Sequence, residues 1–496
     1  MKFNNDGVGV TEMGMAEADD LVDIWLSVKH FEKLEIPGDI EKIELIKKVC
    51  TYDRAFFEDL QTQYMSGKIS IKNNIRGSVN EISNISVGEP GSNIFGMPDI
   101  GTVEYDRLFH DGAEILKEPI AYVILNGGES TRFGVKTIRG LNPAFNFAGK
   151  YCSLIELKMR HVAFMNKSFG SSILPVFVNS FFTNQNTMRV LKQNNFFGVN
   201  ENDVYNCVHQ VIHRVYPKAE DLVYWHETLR EKGLTNLEEE LAEQSLKFMK
   251  EWTKQKGEGA IFKPEGKNKL YTLVSPGHYF SFMSIISNYT LGFLIERGVK
   301  RIMVASNDNM LATVNPAILA FHQSKGHGAT VEVVPRLFDR GGAPVTIGGK
   351  TVILEDFSFP DQESLWKVPY FNPISSWIDI DKLLQLAELA PDDLVQAAHG
   401  NTDKRKLCSD AVIRLGNRIQ TYAVLKQIAE DMGNGIVYTY PVIQFEKLYG
   451  DLVGLLDPTF LLVPKILRHT QMKSVDHIYQ ILVDRALEIL EPQLHI

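Results

Sequence analysis

Four cysteines in 496 residues, Cys50, Cys152, Cys207 and Cys408, are too widely spaced for a zinc pattern or a disulfide framework. They read as the reduced thiols of a cytoplasmic enzyme. No stretch approaches the roughly 18–20 uninterrupted apolar residues of a membrane span. Residues 1–15 carry Asp6 and Glu12 and no apolar core, which is not the pattern of a signal peptide. Positive charge is in deficit: 52 Lys and Arg stand against 61 Asp and Glu, a net charge of −9. Nucleic-acid binding wants a basic face, so that partner class is disfavoured. A small polyanion is still admissible, because a few converging cations and a divalent ion can hold a triphosphate on an acidic protein. Hydrophobic residues at 44% and charged residues at 23% permit a sizeable core and exclude a disordered or low-complexity chain.

The chain divides by pattern. Residues 16–67 carry helical spacing in Leu21, Val22, Ile24, Trp25, Val28 and Phe31, with a further helix expected over Ile40–Val49 and Asp39 placed to cap it. Residues 68–105 look extended or looped. From Ile120 the pattern changes: Ile120–Leu125 is a short apolar run entering Asn126-Gly127-Gly128, as a buried parallel strand enters a glycine turn. Further strands are expected at Ile173–Val178, Arg301–Ser306, Thr330–Val334 and Val352–Leu354. Helices are expected at Lys150–Asn166, Gln185–Asn194, Leu237–Lys254, Phe280–Arg297 and Pro316–Ser324. This alternation predicts an α/β fold with a mostly parallel sheet covered by helices on both faces, and a site outside the carboxyl ends of the strands. Beyond Asp379 the chain reads as helical to Met432, then as strand over Ile436–Phe445, then as an amphipathic helix over Asp476–Leu490. The division this implies is a helical region 1–105, a catalytic domain 106–400 with an insertion at 218–270, and a carboxyl-terminal region 401–496.

The segment Leu125-Asn-Gly-Gly-Glu-Ser-Thr-Arg-Phe-Gly134 carries the most chemistry. Paired glycines let backbone N–H groups approach phosphate oxygens, and Arg132 can add a forked cation. Neither a Walker A loop nor a dinucleotide fingerprint is present. The segment resembles the signature of the UDP-sugar pyrophosphorylase family, L-x-G-G-x-G-T-[RS]-x-G followed by P-K. Other stretches match that family in order. Val178-Asn-Ser-Phe-Phe-Thr-Asn-Gln-Asn-Thr187 is similar to N-S-F-x-T-x-x-x-T, and Ser275-Pro-Gly-His278 to P-P-G-H. Val304–Met310 is similar to the strand end built on Asp-Asn. Gly341-Gly342, Gly349 and Leu354-Glu355 resemble the G-G…G…L-E run, and Phe371-Asn372 with Trp377 resembles F-N-x-N-x-L-W. Val442-Ile-Gln-Phe-Glu446 resembles V-I-Q-L-E, and Lys473 with Asp476 a late V-K-x-x-x-D.

The resemblance implies a Rossmann-like, glycosyltransferase-A-like nucleotidyltransferase that couples UTP to a sugar 1-phosphate and releases pyrophosphate. Glucose 1-phosphate is the expected acceptor, since Gly277-His278 and Phe371-Asn372…Trp377 follow the uridylyltransferase branch, although Thr131-Arg132 follows the N-acetylhexosamine branch. No covalent nucleophile is required, so catalysis is positioning and charge neutralisation. Arg132, Arg139 and Lys473 are the expected catalytic cations. Leu125, Asn126, Gly127, Gly128, Gln210, Gly277 and His278 are expected to bind the nucleotide, and Glu355 and Asn372 the sugar. Asp308 is expected to hold Mg²⁺, which takes one or two protein oxygens beside phosphates and water. The partners implied are small molecules, with no nucleic acid and no membrane, and the protein is expected as a monomer or small homo-oligomer.

Three departures stand out. Ser130 stands where the third signature glycine is expected, beside Glu129. Arg139, with Ile138 before it, falls where P-K is expected, and Lys136 or Lys150 could supply the compact cation instead. The branch commonly carries a further carboxyl-terminal β-helical domain, which is not expected in the short stretch after Lys473. The alternatives are another hexose, N-acetylhexosamine or cyclitol phosphate, another nucleoside triphosphate, or a paralogue that binds nucleotide without turnover.

Overall fold

The structure, a computed structural model, describes residues 39–225 apart from 88–92, 129–138, 142, 148 and 149. It also describes residues 236–469 apart from five single positions, and residues 471, 472, 481 and 488. At its centre lies a nine-stranded sheet. Its strands, in chain order, are β1 (Ile94–Gly96), β2 (Ile120–Asn126), β3 (Ile173–Asn179), β4 (Tyr205–Val208), β5 (Arg301–Ser306), β6 (Ala329–Pro335), β7 (Tyr370–Phe371), β8 (Ser375–Asp379) and β9 (Thr459–Leu462). Their spatial order is β1-β9-β6-β8-β5-β2-β3-β4, with β7 paired to β6. The pairings β1–β9, β9–β6, β5–β2, β2–β3 and β3–β4 are parallel, and β8 runs against both β5 and β6.

The apolar runs explain this arrangement. Alternate residues of β2 enter different cores: Ala121 and Val123 face one, Ile120, Tyr122 and Ile124 the other. Val304 and Ile302 of β5 follow the first core, and Met303 and Ala305 the second. A strand apolar on both sides can only be satisfied by helices on both faces. Helix Leu154–Phe169 covers one face. It starts at Ser153, whose hydroxyl accepts from the Glu156 amide at 3.2 Å, and stops at Gly170 in the left-handed region. Helices His278–Ser287 and Thr290–Glu296 cover the other face.

Several expectations change. Val352–Leu354 lies in strand Lys350–Leu354 of a separate antiparallel sheet with Ile82–Ser83 and Ala343–Ile347. Lys150–Ser153, expected as helix, pairs with Pro143–Phe147 as strand. The expected helix Phe280–Arg297 is two helices, broken where Tyr289 takes φ 63°. Tyr422–Gly433, expected as helix, is a strand paired along its length with Ile436–Glu446. Helix Val103–Ile115 had no expectation at all. Helices Asp39–Val49 and Arg54–Met65 match the amino-terminal reading, whereas residues 16–38 and 476–480 lie outside the described residues. Ile94–Gly96 and Thr459–Leu462 both join the central sheet, so strands from regions 1–105 and 401–496 sit beside those of 106–400. All four cysteines are buried and none is in a disulfide, and no described helix is long and apolar enough to cross a membrane.

Candidate active site

The carboxyl ends of β2, β3, β4 and β5 are neighbours, and four asparagines tie them together. Asn307, just past β5, donates to the Asn126 side chain at 2.6 Å. Asn126 donates to Asn179 at 2.7 Å and to the Thr187 hydroxyl at 2.9 Å, and Asn179 donates to Asn206 at 2.7 Å. All four are buried. Buried amides of this kind hold only when paired, so the chain of bonds fixes the strand ends against one another. Gly140 lies against this chain. A Cβ there would stand 2.0 Å from Asn307 Nδ2 and 2.7 Å from Asn126 Oδ1, which only glycine avoids.

Above these strand ends opens a cleft of about 250 Å³. Its floor is Leu125, Asn126, Gly127 and Gly128 after β2, with Ser306, Asn307 and Asp308 after β5. His209 after β4 forms one wall. Val274, Ser275, Gly277 and His278 form another, and Ile374, Gln444 and Glu446 complete it. The geometry thus brings together seven expected site residues: Leu125, Asn126, Gly127, Gly128, Gly277, His278 and Asp308. The side chain of Asn126 is committed to the asparagine chain, so only its backbone faces the cleft as a donor or acceptor.

Gly277 has φ 96° and ψ 176°, and a Cβ on it would lie 2.4 Å from the Lys447 carbonyl oxygen. Both facts require glycine. Lys447 N–H donates to the Pro276 carbonyl and its own carbonyl accepts from Tyr279, so the loop is stitched to the hairpin strand Ile436–Glu446. His278 then opens the ten-residue helix His278–Ser287, whose amino-terminal dipole favours an anion at the cleft. Asp308 is buried and accepts a short hydrogen bond from Ser306, while its carbonyl accepts from Met472 N–H at 2.8 Å. Met472 immediately precedes Lys473 in the chain.

Other expected residues fall elsewhere. Gln210 is buried beside His209, does not line the cleft, and its carboxamide oxygen has no partner among the described residues. Glu355 and Asn372 do not line the cleft either. Glu355 packs on Gly342, and Asn372 donates its backbone N–H to the Gly342 carbonyl while its side-chain oxygen accepts from Ile374 N–H at 3.0 Å. Asn372 therefore shapes the turn that carries Ile374 to the cleft wall. Arg132 and Lys473 lie outside the described residues, as do Ser130, Glu129 and Lys136; of Arg139 only the backbone is described, in the single turn Arg139–Leu141.

The structure adds residues that sequence reasoning missed. Gln444 is held by Arg214, whose Nε donates to it at 2.9 Å while Nη1 binds the carbonyls of Tyr271 and Leu273. Gln444 in turn donates to Glu446 at 3.2 Å. Both lie in the quoted Val442–Glu446 stretch, which was the available signal. His209 had none beyond its place after a strand. Burial pushes its imidazole down to about 4, with His278 nearby adding to the effect, so the ring is neutral at physiological pH. Lys158 sits beneath the floor, fully buried, donating to Tyr122 Oη and to the carbonyls of Asn309 and Ala312. Burial first, then Arg468, pull its ammonium down to about 7 while Asp308 opposes them.

A cleft at the carboxyl edge of parallel strands, walled by a glycine turn and a helix amino terminus, stands where open α/β sheets bind their ligands. A sequence profile of the UTP–glucose-1-phosphate uridylyltransferase family matches residues 82–227 and 255–422. The chain belongs to the UTP–glucose-1-phosphate uridylyltransferase family. It is similar to the enzyme of that name from Pyrus pyrifolia, at 24% identity over 334 residues, 64% of this chain and 61% of the relative. It thus spans about three fifths of the length of the curated relative it matches. Among solved structures it is similar in fold to the uridine diphosphate N-acetylglucosamine pyrophosphorylase from Trypanosoma brucei, with a TM-score of 0.60 and 14% identity over 95% of this chain and 85% of that one. A UDP-glucose pyrophosphorylase from Leishmania major in complex with UDP-glucose gives a TM-score of 0.56 and 16% identity over 90% and 79%. These likenesses bear out the expected α/β architecture.

Proposed function

We propose that the protein transfers a uridylyl group from UTP to a sugar 1-phosphate and releases pyrophosphate. The observation that carries this reading is the single cleft joining Gly127-Gly128, Gly277-His278 and Asp308, three separately expected segments of one nucleotide site. The acceptor we propose is glucose 1-phosphate, in keeping with the family match and with a Leishmania relative that binds UDP-glucose.

The described cleft residues include the carboxylates Asp308 and Glu446 and no Lys or Arg. A triphosphate needs compensating charge, which we assign to Arg132, Arg139 and Lys473 together with Mg²⁺. Among the described residues no cluster of three or more metal-ligating side chains exists. A lone carboxylate such as Asp308 fits Mg²⁺, which keeps most of its coordination in water and phosphate oxygens. Bound there, the ion would neutralise charge on the triphosphate. The chain's own groups do the rest: the glycine turn seats the nucleotide, and backbone donors of helix His278–Ser287 orient the phosphates in line with the attacking sugar phosphate. Glu446 and Gln444 offer acceptors and a donor to hydroxyl groups. Glu355 and Asn372 are proposed sugar ligands behind Ile374.

The test is to incubate the protein with UTP, Mg²⁺ and a panel of sugar 1-phosphates and follow pyrophosphate. Release with a hexose 1-phosphate supports the reading. No release with any acceptor, nor with ATP, GTP, CTP or dTTP, selects a nucleotide-binding paralogue without turnover.

A further inference from the structure

The wall of the cleft opposite Asp308 holds an acceptor that nothing else in the site uses. His209 is 3% exposed. Its Nδ1 lies 2.9 Å from the Gln210 carbonyl oxygen. A carbonyl oxygen only accepts, so Nδ1 carries the ring proton and Nε2 is left with a lone pair. Nε2 has no hydrogen-bond partner among the described residues, and it lies 3.2 Å from where a Cβ on Gly127 would stand. The ring therefore rests on the backbone of the glycine turn with an unpaired acceptor at the cleft surface. An acceptor that faces the cleft in this way is open to a proton donated by a ligand.

The chemistry of that proton is constrained. A phosphate oxygen brings lone pairs of its own and would be repelled by Nε2. The phosphates therefore belong toward Asp308, at the end of β5. His209 follows β4, three places away in the sheet, where strands lie about 4.8 Å apart. That separation, about 14 Å between the carrying strands, leaves room for a ribose between a phosphate chain at Asp308 and a base at His209. Gly127, lacking a side chain, leaves a flat seat beside the ring.

We propose that His209 selects the base: its Nε2 accepts the imide N3–H of a uracil lying on Gly127. This rests on the nucleotide reading above and adds the residue that sets base preference. Cytosine has the same outline but presents a lone pair at N3, so it sets acceptor against acceptor. Its neutral state holds at any pH above about 5, so the acceptor is available throughout the physiological range.

The experiment is calorimetric titration of the full chain with UTP, CTP and 3-methyluridine 5′-triphosphate, using the wild type, His209→Ala and His209→Gln. The wild type is expected to prefer UTP over both analogues by roughly 10- to 100-fold, the range for one buried acceptor deprived of its proton. His209→Ala is expected to bind UTP and CTP within about threefold of each other, whereas His209→Gln, which keeps an acceptor, retains part of the preference. Unchanged unfolding midpoints establish that both variants are folded; if His209→Ala is not, the wild-type titrations and His209→Gln decide. Equal wild-type affinity for UTP and CTP, or a preference that survives in folded His209→Ala, overturns the assignment while leaving uridylyl transfer intact. Failure of the wild type to bind UTP overturns the uridylyl reading itself, and does so before any variant is compared.

Discussion

Replacing Gly277 by alanine tests whether the loop that closes the cleft is built as described. The residue adopts φ 96° and ψ 176°, a region that costs a side-chain-bearing residue about 1–3 kcal/mol. The new methyl would also stand 2.4 Å from Lys447 O and 2.7 Å from Lys447 N, both backbone atoms that already hold the loop through Pro276 and Tyr279. Displacing them brings the expected loss to about 3–4 kcal/mol, within the range of buried overpacking. Unfolding entropy of about 2.1 cal/mol/K per residue gives about 1 kcal/mol/K for a chain of 496 residues. The melting midpoint should therefore fall by about 3–4 °C. Gly349→Ala is the control: its φ is 75°, but no atom lies within 4 Å of the added methyl, so it should lose only about 1 °C. The two variants should also separate in UTP titration, Gly277→Ala weakening binding and Gly349→Ala leaving it unchanged. A Gly277→Ala protein that melts within 1 °C of wild type and binds UTP normally refutes the described loop.

Asp308→Asn should lower turnover by roughly two to three orders of magnitude while the protein stays folded, read from pyrophosphate release across a magnesium titration. Arg132→Ala and Lys473→Ala should each cut turnover by roughly two to four orders, and unchanged rates would remove those role assignments. Asn126→Ala would leave Asn307 and Asn179 without their partner, and should cost about 2–4 kcal/mol by urea unfolding. The lowered imidazole of His209 means the unfolded chain takes up a proton that the folded one refuses as pH falls from 6.5 toward 4. Stability that is present above pH 6.5 is therefore lost on acidification, by about 2–3 kcal/mol at pH 4.5 from this residue. His209→Gln should flatten the decline by that amount, and urea midpoints at pH 7 and 4.5 measure it.

What could be read from the sequence was what local pattern determines. Ile120–Leu125 and Ile173–Val178 are apolar on both faces, and both are inner strands of the sheet. Strand β8, Ser375–Asp379, escaped because a short run with two serines carries no apolar signal; its burial comes from neighbours on both sides. Tyr422–Gly433 contains Leu, Lys, Gln, Ala and Glu, all good helix formers, and only its pairing with Ile436–Glu446 makes it a strand. The site was legible where backbone geometry demands a residue type, as at Gly277, or where a carboxylate ends a strand, as at Asp308. It was not legible where the role comes from an environment assembled by distant segments. His209 owes its tautomer to a neighbouring carbonyl and its neutrality to burial, and Gln444 owes its orientation to Arg214. Neither influence is visible in a spacing.

The central claim is that the glycine turn after β2 and Asp308 after β5 serve one bound nucleotide. A crystal structure with UTP and a divalent cation tests it most directly. The account predicts the base against His209 and Gly127 and the phosphates beside Asp308, with Arg132 and Lys473 reaching them. A nucleotide bound elsewhere, or phosphates that leave Asp308 untouched, would contradict it.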